Sequence, residues 1–437
     1  MTRKLTALLI LVLSCTASAQ ELKRRAHIGV SFSSPNGNEA GAVVRHVESG
    51  SSLAKAGLAV KDKVIRLNQE LVNEPNRWSD ILYDLRAGDV VNLEVLRGSD
   101  LMMISATLAP LPKESYSNTE VTYAEVMSAF GDRIRTITTL PKNSQSKLPA
   151  LFVVGGLSCS SIEVYPGRRE SGWTKVLRDI STKSGMVVMR VEKPGVGDSN
   201  GHCGESDFHR DISAFEAAYQ SLKKSKHVDS TNIIIYGSSM GSALAPHLAN
   251  KLGAAGIISD GTFVKTWFEH MLEIERRIRL FEGDSPVEVA RKMNEGYIPL
   301  YYGMLIRKKS YEEVIKEQPE LAQYNYHSPK HMYGRPVSYY HQVQDFNFAK
   351  GWEELKVPVR IIRGANDWIM SADDNDMIID ILESNGHKDH ELYLYQGLDH
   401  WNMIHEKAID SYKGKEGRWE DKISQIIIDY AKELSNK

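Results

Sequence analysis

The chain has 437 residues, 42% of them hydrophobic and 25% charged, an ordinary globular balance with length for two or three domains. Its formal net charge is -2, with the Lys, Arg, Asp and Glu residues dispersed rather than blocked. That excludes the basic patch or stripe by which a nucleic-acid partner is usually bound.

Arg3 and Lys4 precede an apolar run from Leu5 to Leu13, which is followed by Ala17-Ser18-Ala19 and Gln20. A positive start, a short apolar core and an A-x-A end describe a secretory signal peptide over residues 1–19, cleaved after Ala19. The run is about nine residues, well short of the roughly 20 that span a bilayer as a helix, so no transmembrane helix is expected. A buried amphipathic helix is the poorer reading, because the run has no polar face. A competing reading is lipid attachment at Cys15, disfavoured by bulky Leu13 where lipoprotein signals usually carry a small residue. Export, to a periplasm or beyond, places Cys159 and Cys203 in an oxidising environment where they can pair.

Residues 25–110 read as many short strands with two helical pieces. Ala26–Phe32 and Gly41–Val47 are strand-like. The turn Glu48–Ser52 leads into a short helix, Leu53–Leu58, stopped by Gly57. Asp62–Asn68 is a further strand. Trp78, Ile81, Leu82 and Leu85 have helical spacing, and Gly88-Asp89 turns into the alternating strand Val91–Arg97. HIGV at 27–30, AKAGL at 54–58, DKVIRLN at 62–68 and RAGDVVNLEVLRG at 86–98 together resemble a bacterial PDZ domain. The resemblance implies that the backbone of His27, Ile28, Gly29 and Val30 receives a peptide carboxylate while the peptide adds as a strand to the sheet edge. Lys61-Asp62 stands where the family often has GD, a departure in a turn away from the groove. The alternative is a module that only packs on its neighbour. Pro110, Pro112 and the polar residues after them mark a linker over 111–117.

From residue 118 onward the pattern changes. Glu120–Glu125 and Arg133–Leu140, joined through Gly131-Asp132, suggest a hairpin. Continuous apolar strands then alternate with helical stretches: Ala150–Val154, Met186–Val191, Asn232–Tyr236, Ala255–Ser259, Val359–Ile362 and Glu391–Tyr395. Strands buried on both faces of a parallel sheet require such runs. The expected class for 118–437 is therefore α/β, a doubly wound, mostly parallel sheet. Residues 262–350 interrupt this rhythm with helical spacing and many aromatics, including Trp267, Tyr301 and Tyr340, and read as a helical cap inserted over the sheet. Extra packing helices on one flank are the alternative.

The sharpest signal is Gly237-Ser238-Ser239-Met240-Gly241, between the strand Ile233–Tyr236 and the helix-forming stretch Ala243–Leu252. A strand, a tight turn and a helix with serine at the centre of G-x-S-x-G make Ser239 the candidate nucleophile. A serine hydroxyl needs a base to take its proton, and in this arrangement the chain order is serine, acid, histidine. Asp367 follows the strand Val359–Ile362, and His400 follows Glu391–Tyr395. Both stand at strand carboxyl ends, the edge where α/β sheets bind ligands. Asp373 and Asp374 compete for the acid role but lie past Trp368, in or near the next helix. His387 and His390 precede the last strand and belong at its far end, and His405 reads as a solvated turn residue. His400 is thus the base and Asp367 the group that orients it. The Met240 N–H is one expected oxyanion donor. Leu157, in Gly155-Gly156-Leu157-Ser158 after the Ala150–Val154 strand, is the other, with Gly156 in reserve.

These residues resemble the α/β-hydrolase superfamily across 118–437. Glu192-Lys193-Pro194-Gly195-Val196-Gly197-Asp198-Ser199 is similar to its D-x-x-G-x-G-x-S turn, with Glu192 where Asp is common. Gly155 replaces the histidine of the family's HG, which leaves the oxyanion loop less defined. Neither metal-ligand clusters nor nucleotide loops occur, so no metal and no cofactor are inferred. In that fold the strands before Cys159 and Cys203 are neighbours, so a disulfide is expected to brace the oxyanion loop, worth about 4 kcal/mol in the chain-entropy model. The leading expectation is hydrolysis of an ester or related acyl substrate chosen by the cap. A peptidase on the same residues is the second. The third is a non-enzymatic exported adapter whose hydrolase domain is a relic.

Overall fold

The computed structural model describes residues 22–33, 41–327 and 330–436. The leader read over 1–19, with Cys15, lies outside the described residues.

The first sheet holds six strands: β1 (Val30–Phe32), β2 (Ala42–Val47), β3 (Lys63–Leu67), β4 (Glu70–Leu71), β5 (Val90–Arg97) and β6 (Asp100–Thr107). Their order is β1-β2-β3-β5-β6, with β4 on β3. Alternation along β5 sends Val91, Leu93 and Val95 into a core shared with Val44, Leu53, Val64 and Trp78. The short helix Ser52–Lys55 is capped by Ser51, whose hydroxyl accepts from the Ala54 N–H. A second helix runs Pro75–Asp84, earlier than Trp78, because proline at its first turn gives up an N–H that has no intrahelical acceptor anyway. The strand read from Ala26 is confined to β1. Before it, Gly29 adopts φ 61° and only isolated bridges form at Arg25 and Ala26.

The second sheet has eight strands: β7 (Thr119–Met127), β8 (Arg133–Pro141), β9 (Leu148–Val154), β10 (Val187–Val191), β11 (Val228–Ser238), β12 (Gly256–Asp260), β15 (Val359–Gly364) and β16 (His390–Tyr395). A two-residue pair, β13 (His331–Met332) and β14 (Arg335–Pro336), sits in the insertion. The order is β16-β15-β12-β11-β9-β10-β8-β7. β7 and β8 pair antiparallel, as do β8 and β10, while β9, β10, β11, β12, β15 and β16 run parallel. Both faces are buried. Leu151, Val153, Ile234 and Tyr236 face helices Gly172–Lys183 and Lys422–Ser435, while Phe152, Val154, Ile233 and Ile235 face Phe208–Lys223 and Met240–Leu252. Between β12 and β15 the chain is mainly helical, beginning with Trp267–Phe281, whose first turn carries a Thr266/Glu269 capping box.

Segment 111–117 is packed rather than free. Leu111 donates its N–H to Arg25 O, and Glu114 makes a fully buried ion pair with Arg190 at 2.7 Å. The first described residues are likewise fastened to the second sheet. The Leu22 N–H donates to Glu125, Arg24 pairs with Glu163 and Asp198, and the Arg25 N–H donates to Asp198 at 2.8 Å. Cys159 and Cys203, 44 residues apart, are joined as a disulfide.

Candidate active site

β11 delivers Ser239 to the carboxyl edge of the parallel strands, and the helix Met240–Leu252 leaves immediately after it. The turn is so tight that Ser239 sits at φ 57°, ψ -126°, strain of a kind that persists only where surrounding contacts enforce it. The two flanking glycines are required by contact. A Cβ on Gly237 would lie 2.4 Å from Gly241 O, and one on Gly241 would lie 2.1 Å from Val154 O. The Ser239 N–H donates to Asp260 O at 2.9 Å, tying the turn to β12.

The loop after β15 carries Asp367 and the loop after β16 carries His400, and both reach the serine. His400 Nε2 lies 3.0 Å from Ser239 Oγ, and His400 Nδ1 lies 2.9 Å from Asp367 Oδ2. The other Asp367 oxygen accepts the N–H groups of Ile369 and Met370, each at 2.9 Å. Gly261, at φ 60°, leaves room beside the imidazole. Burial opposes charge on both partners, and each favours the charged form of the other. Asp367 stays below the usual carboxylate range, against its burial, through His400 and the Met370 N–H. His400 is raised above the usual imidazole value, again against burial, by Asp367 and more weakly by Asp260 and Asp399.

The competing groups go elsewhere. Asp374 accepts the N–H groups of Val264 and Lys265, anchoring the start of the insertion, and Asp373 is exposed. His387 bonds Val357 O and His390 bonds His387 O, at the amino end of β16. His405 corrects the sequence reading: it is buried and pairs with Asp399 at 3.1 Å, because the loop after His400 folds back on Gly397 and Leu398.

The Met240 N–H opens its helix, where backbone donors have no intrahelical acceptor. Gly156 and Leu157 follow β9, and a Cβ on Gly156 would stand 3.0 Å from Ser239 Cβ, so this loop runs against Ser239. It is held by Lys193 and Glu192, to which the sequence reading gave no role at the loop. Lys193 Nζ donates to Gly156 O at 2.5 Å and to Ser158 O. The Ser161 hydroxyl and the Ile162 N–H donate to Glu192. Burial pushes the Lys193 ammonium down to about 8 and the Glu192 carboxyl up to about 7. Both lie inside the glycine-rich turn already marked in the sequence. A lysine and a glutamate following a buried strand were the available signal.

One further group, Arg277, joins the insertion to the site. Arg277 donates to Trp368 O at 2.7 Å and Ile369 O at 2.8 Å, bracing the loop that supplies Asp367 with its donors. Trp368 lies against Trp401 and Tyr412, and Trp401 is exposed next to His400. Asp260, at the end of β12, is held near His400 by the Tyr236 hydroxyl and raised by burial to about 6. Among the described residues no group of three or more His, Cys, Asp or Glu is arranged to hold a metal ion, and no helix is long and apolar enough to cross a membrane.

The strand order, the turn at Ser239 and the residues gathered on one sheet edge define an α/β hydrolase. Residues 167–408, more than half of the chain, match the family described as serine aminopeptidase, S33, and the chain belongs to that family of hydrolases. Residues 26–108 match the PDZ domain family. No curated protein matches the chain. Among solved structures, the Pyrococcus furiosus esterase Pf2001 is 13% identical, with a TM-score of 0.43 over 74% of this chain and 97% of that one. Est1E from Butyrivibrio proteoclasticus, solved with ferulic acid bound, is 14% identical, with a TM-score of 0.44 over 70% and 98%. The α/β hydrolase GrgF from Penicillium is 14% identical, with a TM-score of 0.45 over 73% and 100%.

Proposed function

We propose that the protein is an exported serine hydrolase that cleaves an ester or related acyl bond by acyl transfer to water. Ser239 Oγ attacks the acyl carbonyl as His400 Nε2 takes its proton. The carbonyl oxygen becomes an oxyanion held by the N–H groups of Met240 and Leu157, worth about 2.7–4 kcal/mol per donor. Asp367 keeps the imidazole in orientation and stabilises its charged form. Collapse breaks the bond to the leaving group, which departs with the proton from His400, and leaves an acyl group on Ser239. Water then attacks with His400 as base, releasing the acid and regenerating the serine.

The observation that carries this reading is the unbroken relay from Ser239 Oγ through both His400 nitrogens to Asp367, at 3.0 and 2.9 Å. Export rests on the leader sequence and on the Cys159–Cys203 bond. We divide the chain into a leader (1–19), a PDZ module (25–110), a connecting segment (111–117) and a hydrolase domain (118–437) capped by 262–350. In the PDZ module, His27 to Val30 receive a peptide carboxylate. A second reading, peptide-bond hydrolysis at the same serine, is favoured by the family's description as an aminopeptidase. Labelling by a fluorophosphonate probe, lost in Ser239→Ala, tests the nucleophile. Rates on p-nitrophenyl esters against aminoacyl p-nitroanilides divide the two readings. Undiminished labelling in the alanine variant would overturn the assignment.

A further inference from the structure

Cys159 and Cys203 differ in their surroundings, and the difference bears on how their bond can be opened. Cys159 follows the oxyanion loop and lines a cleft of about 710 Å³ between the front module and the hydrolase domain. Cys203 is buried, at 4% exposure, where the glycine turn packs so tightly that a Cβ on Gly195 would lie 2.3 Å from the Cys203 N. An incoming thiol therefore meets the sulfur of Cys159 first.

The buried sulfur has a cation fixed upon it. Arg335, in the insertion and fully buried, places Nη1 2.9 Å from Cys203 Sγ and 3.0 Å from Cys203 O. Its orientation is locked, because Asp211 accepts from Nη2 and the guanidinium lies 4.3 Å from the centre of the Tyr339 ring. A disulfide sulfur is a weak acceptor and a thiolate a strong one, so this contact strengthens only as the S–S bond breaks toward Cys203. A neighbouring arginine lowers the pKa of a thiol, and a thiol of lower pKa leaves faster in exchange. Cys159 Sγ instead has Gly334 O at 3.8 Å, a group that opposes negative charge there. Access thus favours attack at Cys159, and charge favours departure of Cys203.

We propose that Cys159 is a site of S-thiolation by a small thiol, with Cys203 as the leaving group and the oxyanion loop as the part released. The attacking thiolate, its proton given to solvent, forms a bond to Cys159 Sγ. The bond between Cys159 and Cys203 breaks, and its electron pair stays on Cys203 Sγ beside Arg335. The sulfur of the thiol is oxidised and that of Cys203 reduced, so the step needs no other oxidant or reductant.

The adduct sits in the cleft, and the exchange cuts the covalent tie between the oxyanion loop and residues 203–205. Those residues are held by the insertion, through Arg335 on Cys203 O and through His331, whose Nε2 lies 3.1 Å from Gly204 O. Once the bond opens, the loop is left to the grip of Lys193 on Gly156 O and Ser158 O, and the Leu157 N–H loses its fixed place. This effect on catalysis rests on the serine-hydrolase reading above, whereas the exchange itself does not.

The test incubates the intact protein with reduced glutathione under native conditions, followed by acid quench, unfolding, alkylation with N-ethylmaleimide and peptide mapping by mass spectrometry. Glutathione is found on Cys159 and the maleimide on Cys203. Glutathione on Cys203 or on both, or exchange that occurs only in urea, overturns the proposal. Arg335→Gln slows the exchange by about tenfold, and Arg335→Lys, which keeps the charge, restores most of the rate. Equal rates in all three overturn the leaving-group role, and if neither variant folds, the map of the parent protein decides. In the thiolated protein Ser239 reacts with the fluorophosphonate probe about tenfold more slowly, part of the roughly 10²–10³ that loss of one oxyanion donor costs. Removal of glutathione lets Cys203 reclose the bond and restores that rate. An unchanged labelling rate overturns the effect on the loop. No labelling before or after exchange sinks the serine-hydrolase reading instead, and the peptide map still decides the thiolation.

Discussion

Replacing Lys193 with methionine separates stability from catalysis, because the same ammonium acts on each in the opposite sense. Burial lowers Lys193 to about 8 from its ordinary 10.5. At about 1.4 kcal/mol per pH unit, carrying that charge into the fold costs roughly 3 kcal/mol at pH 7. The folded chain releases this proton more readily than the unfolded one, so the cost fades as pH rises from about 8 toward 10.5. Methionine, of similar length, removes the cost. It leaves Gly156 O and Ser158 O without their donor, a loss of about 1–3 kcal/mol for each that stays dry, and Ser158 is exposed enough to turn to water. The two terms nearly cancel, so Tm changes by only a few degrees. Catalysis has no such compensation. A loop free to drift takes the Leu157 N–H off target, and loss of one oxyanion donor costs about 10²–10³ in kcat. Lys193→Met therefore lowers kcat by about 10² with KM nearly unchanged, measured on p-nitrophenyl acetate alongside a thermal melt. A kcat within about threefold of the parent, with an unchanged fluorophosphonate labelling rate, would refute the role given to this clamp.

Because the base must be neutral and His400 is raised, the acid limb of kcat/KM should lie above pH 6.5. Asp367→Asn removes the anion, so the limb moves to lower pH while kcat drops by the roughly 10⁴-fold that loss of an orienting carboxylate costs in such triads. An unmoved limb counts against the pairing. Gly241→Ala drives a methyl to 2.1 Å from Val154 O, beyond the about 1–3 kcal/mol of ordinary overpacking, and lowers Tm by about 5 °C or more. A well-folded alanine variant would contradict the packing described at that turn. Cys203→Ser reopens the 44-residue loop and lowers stability by about 4 kcal/mol in the chain-entropy account, read as a fall in the urea midpoint. An unchanged midpoint would show that the crosslink restrains nothing in the unfolded chain.

The parallel sheet was legible because strands covered on both faces cannot hide their composition: Ile233-Ile234-Ile235 and Leu151-Phe152-Val153 announce themselves. Ser239, Asp367 and His400 could be picked out because each follows such a strand within a few residues, so topology alone brings them to one edge. Residues whose meaning depends on distant partners were not legible. Lys193 reads as a turn lysine until the loop after β9 is laid against it, and Arg25 as a surface charge until Gly197 and Tyr83 close around it. His405 was misjudged for the same reason, its partner Asp399 being reached only through a folded-back loop. The helix at Pro75 was misplaced because its first turn carries no apolar residue on the periodic face.

The strap formed by Leu22 to Arg25 bears on how the protein can be taken apart. Arg24 meets Glu163 and Asp198 across sequence separations of 139 and 174, and all three side chains are buried. A fragment cut to begin at the second sheet would strip Glu163 of this cation and leave Asp198 with Arg135 alone; removing one side of such a buried pair typically costs 3–5 kcal/mol. During synthesis the arginine emerges long before either acid, so the front module can assemble early while its fastening waits for residue 198. Exchanging one half for a foreign counterpart would thus carry away the counter-ions of the other.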